Sequence, residues 1–175
     1  MRKTLILRSA VAAAVALAIT FTQAHNAFVG LIAVLAFATG ILAAEIWEAF
    51  GSQDRQLKGT VIRFAAGTVL LSAVIGYSIP GAPLLTVMSL NVMLMGYGLF
   101  AIEVFRAVRA GWREAEGRDH LVVAVLHLLI TALFFCSSLN WITLGEVPAV
   151  GFFGAYAAIL AVLWGLRAFD PKQAS

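Results

Sequence analysis

Six polar side chains stand inside apolar stretches of the sequence, where a charge or an amide needs a partner or a function. The six are Arg8, Glu45, Arg63, Asn91, Glu103 and His127. In a membrane such groups pair with one another, or they line a path for protons or solutes. Because carboxylates and a histidine can also exchange protons, this set predicts either structural ion pairs or a proton-responsive cluster.

The apolar stretches are long enough to cross a membrane. Of the 175 residues, 62% are hydrophobic and only 12% are charged, which is too apolar a composition for a soluble domain. A transmembrane helix needs about 20 apolar residues to cross roughly 30 Å of hydrocarbon. Windows of this length predict six transmembrane helices, at about 5–23, 27–49, 61–79, 84–107, 120–139 and 148–168. We therefore expect an all-α, polytopic membrane protein surrounded by the lipid bilayer.

An internal repeat groups the six expected helices into three tandem helical hairpins. The hairpins cover about 5–50, 60–108 and 120–169 of one transmembrane domain that includes residues 1–175. Residues 40–50 align without a gap with residues 98–108. At the end of the third hairpin, residues 164–169 match the last part of the same stretch. In this alignment Glu45 coincides with Glu103, whereas the third copy has Trp164.

The repeat also predicts ion pairs. In each of the first two hairpins, an arginine near the start of the outgoing helix and a glutamate near the end of the returning helix lie at similar depth. An isolated charge in the membrane is costly, so we expect Arg8 to pair with Glu45 and Arg63 to pair with Glu103. The alternative is a single cytoplasm-facing cluster in which both glutamates and His127 take up protons.

Other features of the apolar stretches predict helix packing. Asn91 is expected to hydrogen-bond a neighbouring helix, through Ser72 or a backbone carbonyl, and the alternative is that it lines a path. The second span carries small residues at helical spacing, namely Ala33, Ala36, Gly40 and Ala44. Such faces let helices approach closely, and we expect the chain to form homo-oligomers through them.

The positive charges predict the orientation. In the six-span arrangement every Lys and Arg falls on one side, and the turns at 24–26, 80–83 and 140–147 contain none. By the positive-inside rule we expect a bacterial inner-membrane protein with both termini in the cytoplasm. Glu48, near the cytoplasmic end of the second span, is expected to reach the lipid headgroups. A cleaved signal peptide remains the alternative for the first segment, because it has a basic start, an apolar run and a small residue at the possible cleavage site.

No pattern in the sequence indicates an enzyme. The histidines His25, His120 and His127 lack the spacing of metal ligands, and Cys136 is the only cysteine. There is no nucleophile elbow and no phosphate-binding glycine loop. We expect no enzymatic activity, no cofactor and no metal. Nucleic acid is not an expected partner either, because acidic residues interrupt the basic loops.

The stretch from Ile62-Arg-Phe-Ala-Ala-Gly67 through Pro80 to Gly96-Tyr-Gly98 resembles the repeat of the HdeD-type small acid-resistance membrane proteins. The chain departs from that family's pattern in two places: the first turn, 22–26, has no proline, and the third hairpin has no glutamate in its returning helix. The resemblance implies a non-enzymatic bacterial inner-membrane protein that acts in acid or envelope stress. A channel or transporter for protons or small solutes is the alternative function.

Overall fold

The fold was analysed in a computed structural model, which describes residues 2–51, 58–59, 61–62, 67 and 81–170. Five long helices account for most of the described residues: α1 (Arg2–Phe21), α2 (Ala27–Gly51), α3 (Leu84–Ala110), α4 (Ala115–Ser138) and α5 (Glu146–Phe169). Each of the five is long and apolar enough to cross a membrane. Their positions confirm five of the expected spans.

The expectation of six transmembrane helices arranged as three tandem hairpins is wrong. In the part of the chain that the structure describes, five helices are long and apolar enough to cross a membrane, and the expected third span, 61–79, lies mostly outside that part. The six-helix count was based on hydropathy alone, which measures transfer into hydrocarbon and carries no information on which helices pair. The helices also pair differently, because α4 packs against α3 whereas α5 packs mainly against α1.

The described residues fall into two compact units. Unit 1 is drawn from Met1–Ala65 and Gly145–Ser175 and contains α1, α2 and α5, whereas unit 2 is drawn from Ala66–Leu144 and contains α3 and α4. Residues far apart in the sequence therefore build unit 1. The single transmembrane domain over 1–175 stays a prediction.

Close packing of α1 against both other helices holds unit 1 together. The hydroxyl of Ser9 donates a 2.7 Å hydrogen bond to the carbonyl oxygen of Ala161, which ties α1 to α5. Further along the same pair, a Cβ added at Gly154 would lie 2.9 Å from a side-chain carbon of Ile19, so glycine is what permits this approach. Phe37 of α2 meets the ring of Phe153 edge to face, with 5.6 Å between centroids.

At the end of unit 1 where α2 and α5 begin, polar side chains hydrogen-bond the first amides of α2. The side-chain oxygen of Asn26 accepts a 3.0 Å hydrogen bond from the amide of Val29, which caps the first turn of α2. Oε2 of Glu146 accepts a second bond, 2.9 Å long, from the amide of Ala27. A carboxylate at a helix N-terminus also interacts favourably with the helix dipole. Glu146, at the start of α5, thus joins the first turns of two helices.

In unit 2, α3 and α4 run antiparallel through a tight turn. Gly111 makes this turn possible with a φ of 85°, a conformation that favours glycine. Deeper in the pair, a Cβ at Gly96 would overlap the hydroxyl of Thr131 and lie 3.2 Å from the carbonyl oxygen of His127. The two helices are therefore in close contact along much of their length.

Asn140 ends α4. Its φ of 57° is in the left-handed region, which asparagine tolerates better than most residues. The amide of Asn140 bonds to the carbonyl of Ser137, and the amide of Trp141 bonds to the carbonyl of Cys136, both at 3.0 Å. This pair of bonds is a Schellman motif, which satisfies carbonyls at the end of the helix.

The outward surfaces of the helices are strongly apolar. Leu17, Leu129 and Val162, each from a different helix, are between 56% and 60% exposed. Exposed apolar side chains along whole helices are unfavourable in water and favourable in hydrocarbon. Together with the lengths of the five helices, this surface indicates that the chain is embedded in a membrane.

Candidate functional site

The first buried charged group lies in unit 1, between α1 and α2. Nη2 of Arg8 lies 2.9 Å from Oε1 of Glu45, and the same nitrogen also bonds to Oε2 of Glu48. The Arg8–Glu45 ion pair expected from the repeat is therefore present. Both side chains are almost fully buried, at 3% and 1% exposure.

The sequence predicted that Glu48 reaches the lipid headgroups, but in the structure its side chain does not point outwards. Its side chain is 13% exposed and turns towards Arg8, because Glu45 and Glu48 are three residues apart and so share one face of α2. Packing brings α2 close enough for this contact: a Cβ at Gly40 would lie 2.6 Å from Val11 of α1.

The second buried charged group lies in unit 2, between α3 and α4. Nδ1 of His120 lies 2.5 Å from Oε2 of Glu103, and Nη1 of Arg106 donates a 3.0 Å hydrogen bond to Oε1 of the same carboxylate. All three residues are buried, with Glu103 2% and His120 4% exposed. The carboxylate is thus held between a permanent cation and a side chain that can change charge, with one oxygen towards each.

The two remaining candidates in unit 2 lie away from this carboxylate. His127 is fully buried, but its backbone lies beside Gly96, about two helical turns along α3 from Glu103. Asn91 is buried and donates a 2.8 Å hydrogen bond to the carbonyl of Val87, one turn earlier in its own helix. Within the described residues Asn91 therefore bonds its own helix, because the carbonyl one turn back is in reach without any second helix. Its expected partner Ser72 lies outside the described residues.

Arg63 lies outside the described residues, and so does its expected pair with Glu103. The single cluster expected to unite Glu45, Glu103 and His127 stays a prediction as well, because Glu45 belongs to unit 1 and the other two belong to unit 2. In the described residues the candidates instead form two local groups, one in each unit.

The sequence reasoning missed three residues of these groups, namely Glu48, Arg106 and His120. The repeat contained a signal for the first two, since aligning Glu45 with Glu103 also aligns Glu48 with Arg106. Both stand three residues after the buried glutamate and therefore on its helix face. No comparable signal identified His120, because its contact depends on how tightly α3 turns into α4.

Neither group has the composition of a metal centre. Among the described residues, no three His, Cys, Asp or Glu side chains are placed to hold a metal ion. Each group nevertheless contains a carboxylate that can bind a proton, and in each group an arginine contacts that carboxylate. Proton exchange is the chemistry that these residues support.

The fold and these buried groups define a multi-pass helical membrane protein with charged groups inside its helix packing. No protein-family model matches the chain, and neither a curated protein nor a solved structure matches it. The resemblance to the HdeD-type proteins therefore depends on the sequence features described above.

Proposed function

We propose that this chain is a non-enzymatic protein of the bacterial inner membrane that acts in acid or envelope stress, and that Glu103 and His120 are its proton-responsive pair. The observation that carries the proposal is the 2.5 Å contact between Glu103 and His120 in the buried interior of unit 2. Histidine is the side chain that ordinarily changes charge between pH 5 and 8, the range that an acid challenge crosses.

Acidification changes the charge balance of this group in a defined direction. With neutral His120, the charges of Glu103 and Arg106 cancel. Protonation of His120 adds one positive charge, and protonation of Glu103 then leaves two cations without their shared carboxylate. Charges interact strongly where water is excluded. Protonation of His120 therefore strengthens its attraction to the Glu103 carboxylate across α3 and α4, whereas protonation of Glu103 removes the anion and leaves His120 and Arg106 to repel each other. A stress response built on this step needs no catalytic residue.

The proposed orientation places the basic ends of the helices in the cytoplasm. In unit 1, the guanidinium of Arg2 lies 5.8 Å from the ring centroid of Phe169, so the start of α1 and the end of α5 are neighbours. Lys3 and Arg167 belong to the same end. The positive-inside rule assigns an end of this kind to the cytoplasm.

Survival of a deletion strain after acid challenge tests the proposal. The strain is complemented with the intact chain, Glu103→Gln, His120→Gln or the control Glu116→Gln, and the membrane level of each protein is measured. Glu116 is exposed and lies one turn from His120 in α4, so its substitution removes a carboxylate without touching the buried pair.

We expect the intact chain and Glu116→Gln to restore survival, and each variant of the buried pair to lose most of the rescue at equal abundance. Rescue by all four proteins would overturn the role of Glu103 and His120. Failure of the intact chain to rescue would overturn the stress function itself.

A further inference from the structure

Unit 2 also contains a cavity of about 350 Å³ at the end of the α3–α4 pair opposite Glu103. The first turns of α3, the last turn of α4 and the chain that follows α4 line it, and it is open on one side. Among the described residues, its polar lining comes from Thr86, Ser89, Ser137, Ser138, Asn140 and Thr143, and its apolar lining comes from leucine and isoleucine side chains. The volume is within the range of small-molecule sites and exceeds the space that one water needs.

Most of the polar lining is available to a ligand. Ser89 and Ser138 each donate a 2.7 Å hydrogen bond to a carbonyl of their own helix, which leaves their oxygens able only to accept. The side chains of Thr86, Ser137 and Thr143 make no hydrogen bond within the described residues. The cavity therefore presents several hydroxyls that can both donate and accept.

The lining also determines which charge a ligand can carry. Among the described residues that line the cavity there is no Lys, Arg, His, Asp or Glu. A charged ligand would have to leave water without gaining a counter-ion, which is expensive. An uncharged molecule with several hydroxyls would instead exchange its hydrogen bonds with water for bonds to the lining, while its carbon atoms contact the apolar wall.

The backbone of one wall is fixed before any ligand arrives. Asn140 belongs to the Schellman motif at the end of α4, whose two 3.0 Å hydrogen bonds hold the chain that follows the helix. Pre-organised polar groups reduce the entropic cost of binding. We propose that this cavity binds an uncharged polyhydroxylated molecule of about the size of glycerol or a monosaccharide.

The same chemistry can come from a free polyol or from the sugar headgroup of a glycolipid. Saturation-transfer NMR on the full chain in phospholipid nanodiscs tests the proposal, with glucose as the probe and gluconate as its charged counterpart. Ser137→Leu fills the cavity from α4, and Thr143→Leu does so from the exposed chain beyond it. The control is Thr39→Leu, an exposed position of α2 in unit 1.

We expect saturation transfer to glucose from the intact chain and Thr39→Leu, and at least a fivefold smaller transfer from Ser137→Leu and Thr143→Leu. Gluconate should show little transfer. Nanodiscs containing a monoglucosyl lipid should suppress the glucose signal if a headgroup is the occupant, and leave it unchanged if the occupant is a free polyol. Equal transfer from the intact chain and both leucine variants, or equal transfer to gluconate, would overturn the proposal.

Discussion

Arg8 and Glu45 form a buried ion pair, with 2.9 Å between Nη2 of the arginine and Oε1 of the glutamate. Removal of one partner of a buried pair typically costs about 3–5 kcal/mol, because the remaining charge stays buried. We therefore expect Arg8→Met to lower the free energy of unfolding by about that amount. Unfolding by a denaturing detergent, followed by circular dichroism, measures the change.

The control for this prediction is Arg113→Met, because Arg113 is exposed and its loss should leave the unfolding midpoint nearly unchanged. The double variant Arg8→Met/Glu45→Met should recover part of the lost unfolding free energy, because it removes the Glu45 carboxylate together with the Arg8 cation that pairs with it. Equal midpoints for Arg8→Met and Arg113→Met would show that the pair contributes nothing to stability.

Two glycines of α5 provide a matched test of the packing between α1 and α5. A side chain at Gly154 would meet Ile19, whereas a side chain at Gly151 would meet nothing within 4 Å. Overpacking typically costs about 1–3 kcal/mol, so Gly154→Leu should lower the unfolding free energy by that amount and Gly151→Leu should not. The same detergent titration compares the two variants, and the packing described for unit 1 is incorrect if they behave alike.

The bond between Glu146 and the amide of Ala27 predicts a local effect at the start of α2. Loss of a helix cap costs about 1 kcal/mol, so Glu146→Ala should speed hydrogen exchange of the Ala27 amide about fivefold. Glu146→Gln keeps a side-chain oxygen and should retain most of the protection. Exchange at Ala27 that is unchanged in Glu146→Ala would mean that the carboxylate does not cap α2.

The left-handed backbone of Asn140 predicts which residues can replace it. Glycine adopts this conformation without steric cost, whereas a left-handed conformation costs other L-residues roughly 1–2 kcal/mol. Asn140→Gly should therefore keep the unfolding midpoint, and Asn140→Val should lower it. A midpoint for Asn140→Val that equals that of Asn140→Gly would argue against the Schellman motif at this end of α4.

The sequence was informative wherever a structural feature depends on residues near one another in the chain. Apolar runs predicted the five described helices to within a few residues, and the equivalence of Glu45 and Glu103 predicted that both are buried. Hydropathy could not show which helices pack together, since lipid-facing and protein-facing positions are both apolar. The packing of α1 against α5 was therefore seen only in the structure.

The small-residue face of α2 illustrates the same limit. Ala33, Ala36, Gly40 and Ala44 were expected to promote self-association. Ala33 and Ala44 are buried and Gly40 packs against Val11 within unit 1, whereas Ala36 is exposed. Spacing alone does not distinguish contact within a chain from contact between chains. Homo-oligomerisation stays a prediction, and of the predicted face only Ala36 is exposed for such an interface.

The most direct test of the central claim is whether Glu103 takes up a proton when the medium is acidified. An infrared difference spectrum of the protein in lipid, recorded between neutral and acidic pH, detects the carbonyl stretch of a newly protonated carboxyl group. We predict a component of this band that disappears in Glu103→Gln, shifts in His120→Gln and persists in Glu116→Gln. A spectrum that is identical for the intact chain and Glu103→Gln would contradict the account.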